Sequence, residues 1–184
     1  MSINYYNFIF LILIIYLYTR KRYLPFLPTI PLYPNNNQDA LNVQFFVKNR
    51  NLEDISLFQL TDDSVVHAFK PQVDESISHM NQIITQKHII FIILSMKTFF
   101  NRARPKQIIP DLDILDSKTA HTPAFPSGHA FQAYYLANHL SQLYPKKKEL
   151  FNNIAEKCAM ARVYAGIHYT SDNNFSKFLV NMLF

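Results

Sequence analysis

An all-α fold is what this sequence predicts, and three observations predict it. Glycine is nearly absent: Gly128 and Gly166 are the two in 184 residues, so the backbone elsewhere is short of turn-makers. Apolar side chains recur at helical spacing over 76–104, after His129 and after Lys148. Proline punctuates these segments at Pro105 and Pro145, where it cannot continue a preceding helix. With 49% hydrophobic residues the chain has the material for one helical domain and an appendage, not two domains.

Residues 1–19 carry no charged side chain, and 8–18 are continuously apolar or aromatic. A bilayer span needs about 17–25 residues, so an N-terminal hydrophobic helix acting as a membrane anchor is expected here. A cleaved, signal-like segment is the rival. It wants basic residues ahead of the apolar run, whereas Arg20, Lys21 and Arg22 follow it. That order favours a cytosolic body, with a secreted or periplasmic protein as the alternative. Pro25, Pro28, Pro31 and Pro34 recur every third residue, the polyproline II period. Residues 20–40 therefore read as a semi-rigid linker ending in a polar loop over 35–39, and the domain proper as 41–184.

Short helices are expected over 51–60 and 64–69, the second capped by Asp62 or Asp63. His67 has no partner at helical spacing and reads as packing or surface. The 76–104 segment reads as one long helix on which Ile90, Ile93, Leu94 and Phe100 share a face with Lys97. Arg104, seven residues on and just before Pro105, falls on nearly the same face. Two cations on a core-facing stripe demand an anion, or they cost several kcal/mol in desolvation. The nearby acids are Asp111, Asp113 and Asp116. They admit a metal site or an aspartyl nucleophile, but the latter sits at the end of a buried parallel strand and the flanking residues offer none; a solvated loop is expected.

Pro126-Ser127-Gly128-His129 looks like an anion-binding helix start: Ser127 is a good cap, Gly128 admits close approach of a ligand, and the first turn's unpaired N–H groups point outward. From His129 the apolar face runs through Ala133, Leu136 and Leu140 to about residue 144. The next helix opens in the run Lys146-Lys147-Lys148, buries Phe151, Ile154, Ala155 and Cys158, and carries Arg162 on the same face. Gly166 suits its C-terminal cap. His168 and Asp172, four apart, are neighbours if they lie on the first turn of a final helix.

A net charge of +5 raises nucleic acid as a partner, but the basic residues are split among 20–22, 97–106 and 146–148 with no aromatic-interleaved stripe, so none is expected. Cys158 is the single cysteine, and no Cys/His pairing has zinc spacing. No metal and no other cofactor is expected.

Lys97-x6-Arg104-Pro105, Pro126-Ser127-Gly128-His129 and Arg162-x5-His168-x3-Asp172 together resemble the three-part signature of the type 2 phosphatidic acid phosphatase superfamily. That superfamily includes lipid phosphate phosphatases, bacterial class A nonspecific acid phosphatases and vanadium haloperoxidases. Ten positions match in order and spacing, and the flanks, notably residues 101–105 and 168–172, look most like the soluble acid phosphatase branch.

The resemblance implies a helical bundle of the acid phosphatase and haloperoxidase type, acting as a metal-independent phosphomonoesterase. In that reading Lys97, Arg104, Arg162 and the Ser127–Gly128 turn hold the phosphoryl oxygens. His168 is the nucleophile that becomes phosphohistidine, Asp172 orients it, and His129 protonates the departing alkoxide and then activates water. The substrate is a phosphorylated small molecule or a lipid phosphate. A vanadate-dependent haloperoxidase, a lipid phosphate or diphosphate phosphatase, and a non-catalytic phosphate-binding protein are the alternatives. Two departures stand out: Ala161 where the family usually has Ser, and a final helix that is short, with Asn173 after the motif Asp where small residues are usual.

Overall fold

The computed structural model describes residues 32–184 and, ahead of them, Tyr23 and Pro25. The hydrophobic helix expected at 1–19 and most of the proline-rich stretch lie outside the described residues. Helix α1 (Asn36–Lys48) begins with Asn35 accepting a hydrogen bond from the Asn37 N–H at 2.9 Å. The polar run expected as a loop at 35–39 is thus a cap and a first turn. Asn and Asp serve both purposes, and here the inward side of the turn decides: Asp39 and Ala40 are buried.

Asn51 caps α2 (Leu52–Thr61) in a reciprocal box with Asp54, both bonds 2.9 Å. The one-turn α3 (Val66–Phe69) has no side-chain cap; Asp62 is engaged elsewhere. The segment expected as one helix over 76–104 is broken twice. Helix α4 (Ile77–Ile84) ends at Thr85, whose hydroxyl turns back to the Asn81 carbonyl at 2.6 Å. Helix α5 (Lys87–Phe100) ends because Asn101 adopts a left-handed conformation, φ 46°, which Asn tolerates better than most residues. Pro105 then starts a helix rather than ending one, as the first residue of α6 (Pro105–Ile108). Arg104 therefore reaches inward from extended backbone, not from a helical stripe.

Helices α7 (Gly128–Leu143) and α8 (Lys148–Tyr164) form a hairpin through the 3₁₀ turn Pro145–Lys147. Helix α9 (Thr170–Leu183) packs on α7, and α2 lies against α8. Phe131, Leu136 and Leu140 of α7 meet Phe151 and Cys158 of α8, Leu179 and Val180 of α9, and Phe69, Met80 and Ile89 from the preceding helices. A fully buried Leu or Val contributes about 1.5–3 kcal/mol, and Leu179 and Val180 are what anchor the last helix in this core. A second cluster joins Ala40, Val43 and Val47 of α1 to Leu112, Val163 and Tyr169. Among the described residues no single helix is long and apolar enough to cross a membrane; Ile77–Ile84 with Lys87–Ile108 qualifies only as a pair bent by 49°.

The end of α8 aims the segment after it. Gly166, at φ 74°, donates to the Val163 carbonyl at 2.9 Å while Ile167 donates to that of Arg162 at 3.2 Å, a Schellman turn that reverses the chain. A Cβ at Gly166 would meet Ile114 Cγ2 at 2.9 Å and Val47 Cγ2 at 3.2 Å, whereas at Gly128 it would meet Ile93 Cγ2 at 3.4 Å. Gly166→Ala is expected to cost about 2–4 kcal/mol in urea unfolding, from left-handed strain plus overpacking. Gly128→Ala should stay within about 1 kcal/mol of the wild type in the same measurement.

Candidate active site

Lys97, Arg104, Gly128, His129 and His168 line one cavity of about 250 Å³, together with Ile90, Ile93, Leu94, Thr119, Thr122 and Gln132. Residues from five separate parts of the chain are brought together there. Ser127, Arg162 and Asp172 stand behind the wall, fully buried.

The two cations come from the end of α5 and the extended link to α6. Lys97 Nζ donates to the carbonyls of Pro123 (2.6 Å) and Ala124 (3.4 Å). Arg104 donates through Nε to the Thr122 carbonyl (2.8 Å), through Nη2 to Thr122 Oγ1 (3.3 Å), and through Nη1 to the Ile167 carbonyl (2.6 Å) and His168 Nε2 (3.0 Å). Neutral carbonyls satisfy donors but do not cancel charge. Burial pushes Lys97 well below the usual lysine range, with Arg104 adding repulsion, and burial pushes Arg104 down to about 10. An anion in the cavity would relieve both.

His168 sits one residue before the cap of α9, and Asp172 is in that helix's first turn. Asp172 Oδ2 accepts from His168 Nδ1 at 2.8 Å and from the Tyr169 N–H at 3.1 Å. With Nδ1 donating to a carboxylate and Nε2 accepting from Arg104, the ring is the neutral Nδ1–H tautomer with its lone pair toward the cavity. Burial, then Arg104 and Lys97, holds its pKa well below the ordinary histidine value.

His129, in the first turn of α7, donates through Nε2 to the Asp62 carbonyl at 2.9 Å, which leaves the Nδ1 lone pair on its other side. Burial, then the charge of Arg162, lowers its pKa to about 4. Arg162 is gripped from α2 and its C-terminal cap: Nη1 by Asp62 Oδ1 at 3.1 Å, Nη2 by the Phe58 carbonyl at 3.0 Å and Thr61 Oγ1 at 2.5 Å, with the Phe58 ring centroid 4.4 Å from the guanidinium carbon. Its Nε is buried without a partner among the described residues.

Ser127 caps α7, accepting from Ala130 N at 3.3 Å, and its own N–H donates to the Asp172 carbonyl at 3.4 Å. It shapes the turn and ties α7 to α9 instead of facing the cavity. Ala161 packs with Phe58, Ala165 and Ile167 in an apolar cluster, so a hydroxyl there would lack a polar setting. The aspartates Asp111, Asp113 and Asp116 are exposed, as a solvated loop should be, and Asp113 pairs with Arg50 at 2.5 Å.

Sequence reasoning missed Asp62, Asp39, Arg102 and Thr122. Asp62 binds His129 by its carbonyl and Arg162 and Ser117 by its carboxylate, the last at 2.6 Å. Arg102 lies in the 101–105 flank that carries part of the resemblance, but no role follows for it from the sequence beyond being a third cation beside a helix end. Among the described residues no group of three His, Cys, Asp or Glu side chains is placed to hold a metal ion.

A family model described as the PAP2 superfamily matches residues 81–181, a span that contains every residue lining the cavity. No curated protein matches the chain.

Proposed function

The chain belongs to the PAP2 superfamily, whose members are generally phosphatases, and from that premise we propose that it hydrolyses phosphate monoesters through a phosphohistidine formed on His168. One observation carries this reading: His168 has one ring nitrogen fixed on Asp172 and the other directed at the cationic end of a cavity that His129 also lines.

A bound phosphoryl group takes up donors of Lys97 and Arg104 and N–H groups of the Gly128 turn, with Arg162 adding charge from behind. Arg104 then releases the His168 Nε2 lone pair. That lone pair forms the N–P bond as the P–O bond to the leaving group breaks, and the electrons left on oxygen are met by the Nδ1 proton of His129. In the second half His129 takes a proton from water, the water oxygen bonds to phosphorus, and the N–P electrons return to His168. The cationic cradle supplies the charge stabilisation, so the steps call on no metal. The wall of Ile90, Ile93 and Leu94 suits an apolar or aromatic leaving group better than a sugar. The monoester is a soluble compound or a lipid phosphate, met by a body that residues 1–19 attach to the cytosolic side of a membrane.

The two rings start in opposite charge states, and the pH dependence follows. His129 must begin protonated, yet its pKa in the empty site is about 4. With p-nitrophenyl phosphate, kcat/KM should therefore fall as pH rises from about 4 toward 8. The basic limb of kcat should lie at higher pH, because the bound dianion raises His129. Both rings are kept neutral by burial, so stability should decline as pH falls from about 6.5 to about 4. Melting temperatures in the same buffers separate unfolding from titration. A folded protein releasing no phosphate between pH 4 and 8 would end this proposal.

A further inference from the structure

Arg102 lines no part of the cavity, yet its side chain is completely buried. The guanidinium carbon lies 3.7 Å from the centroid of Tyr169 and 4.4 Å from that of Tyr33. Every nitrogen is engaged: Nε with Asn36 Oδ1 at 3.0 Å, Nη2 with Asp39 Oδ2 at 2.8 Å, and Nη1 with Asp172 Oδ1 and Ser171 Oγ, both 2.7 Å. The Ser171 hydroxyl donates in turn to Asp39. Asp172 therefore has one oxygen on His168 and the other on Arg102.

We propose that Arg102, clamped between Asp39 of α1 and Asp172 of α9, is a positioning residue of the phosphatase site: it fixes the rotation of the Asp172 carboxylate and thereby the tautomer and aim of His168. The inference rests on the reading of His168 as the nucleophile. Without Arg102 the Asp172 carboxylate would be held at Oδ2 alone, by His168 and the Tyr169 N–H, and could pivot about that oxygen, whereas one held at both oxygens cannot. Burial drives Asp172 toward the neutral acid, and Arg102 is the foremost charge opposing it. A neutral Asp172 would accept poorly from His168 Nδ1. Arginine is needed because its planar fork spans two carboxylates from different helices, which the point charge of lysine does not. Asp39, Asn36 and Tyr33 lie outside the matched residues 81–181, so this clamp is built partly by a segment of the chain beyond the family match.

A network that merely docks α1 onto α9 would influence stability alone; a positioning clamp alters the imidazole. Nitrogen NMR of histidine-labelled full-length protein reads the His168 tautomer directly, alongside turnover of p-nitrophenyl phosphate. In wild type His168 should be essentially all Nδ1–H. Arg102→Lys should bring the Nε2–H form up to about a tenth or more and loosen the aim of the ring that remains Nδ1–H, the second effect dominating, so that kcat falls about 10-fold with KM within about twofold. In an Asp172→Asn background the same change should cost less than about threefold, since its route of action is gone. Asp39→Asn, which preserves shape, should move the readouts the same way by less, and it decides the matter if Arg102→Lys does not fold. A folded variant with an unaltered His168 tautomer, or effects of Arg102→Lys and Asp172→Asn that multiply, would overturn the proposal. Wild-type protein that turns nothing over while Arg102→Lys still shifts the tautomer would sink the phosphatase reading and uphold the clamp.

Discussion

His168→Ala is expected to lower kcat on p-nitrophenyl phosphate by at least about 10⁴-fold, because the proposed mechanism loses the atom that bonds to phosphorus and gives water no equivalent place from which to attack. Binding of inorganic phosphate should survive, and even tighten slightly. Arg104 loses a partner at Nη1 when the imidazole goes, and that N–H becomes free for an anion. The pair of measurements separates catalysis from binding: turnover lost and phosphate affinity kept is the signature of a missing nucleophile. Turnover within about tenfold of wild type, in a variant with an unchanged melting temperature, would remove His168 from the mechanism.

Arg104→Ala should reduce kcat/KM about 10³-fold. This side chain has a double duty. It faces the cavity with a charge that burial has left short of a counter-ion, and it satisfies the carbonyls of Thr122 and Ile167. Truncation therefore also destabilises, by about 1–3 kcal/mol, as one buried and one half-buried acceptor lose their donor. Arg104→Lys tells the two duties apart. The charge is retained, but an ammonium cannot reach Thr122, Ile167 and a phosphoryl oxygen together, so about 10²-fold of the loss should remain. A folded Arg104→Ala protein with kcat/KM within about tenfold of wild type would show that the cation is a strut and not part of the phosphate cradle.

Much of this site was legible in the linear sequence because its residues sit at helix ends, where local chemistry leaves a mark. Gly166 announces a left-handed turn and Pro145 a stop, while Ser127 marks a cap; His168 and Asp172 declare themselves by a spacing of four. Helix breaks were less legible. Residues 76–104 carry a continuous apolar period, and nothing in that period shows that Asn101 turns left-handed and hands Arg104 to extended backbone. Cross-chain pairings were not legible at all. Arg162 meets Asp62 100 residues away, and Arg102 meets Asp39 across 63. Such contacts follow from tertiary packing, and no local pattern encodes them.

The apolar stretch at the start of the chain invites removal when soluble protein is wanted, and the polar run after Pro34 is where a knife would naturally fall. Tyr33, Asn36 and Asp39 make that cut unsafe, since they supply a ring face and two of the acceptors around the Arg102 side chain. Trimming past them would strand a cation behind the imidazole without touching a single residue of the catalytic motifs. An inactive fragment prepared that way would report on where it was cut, and say nothing about whether the full chain turns over a phosphate ester.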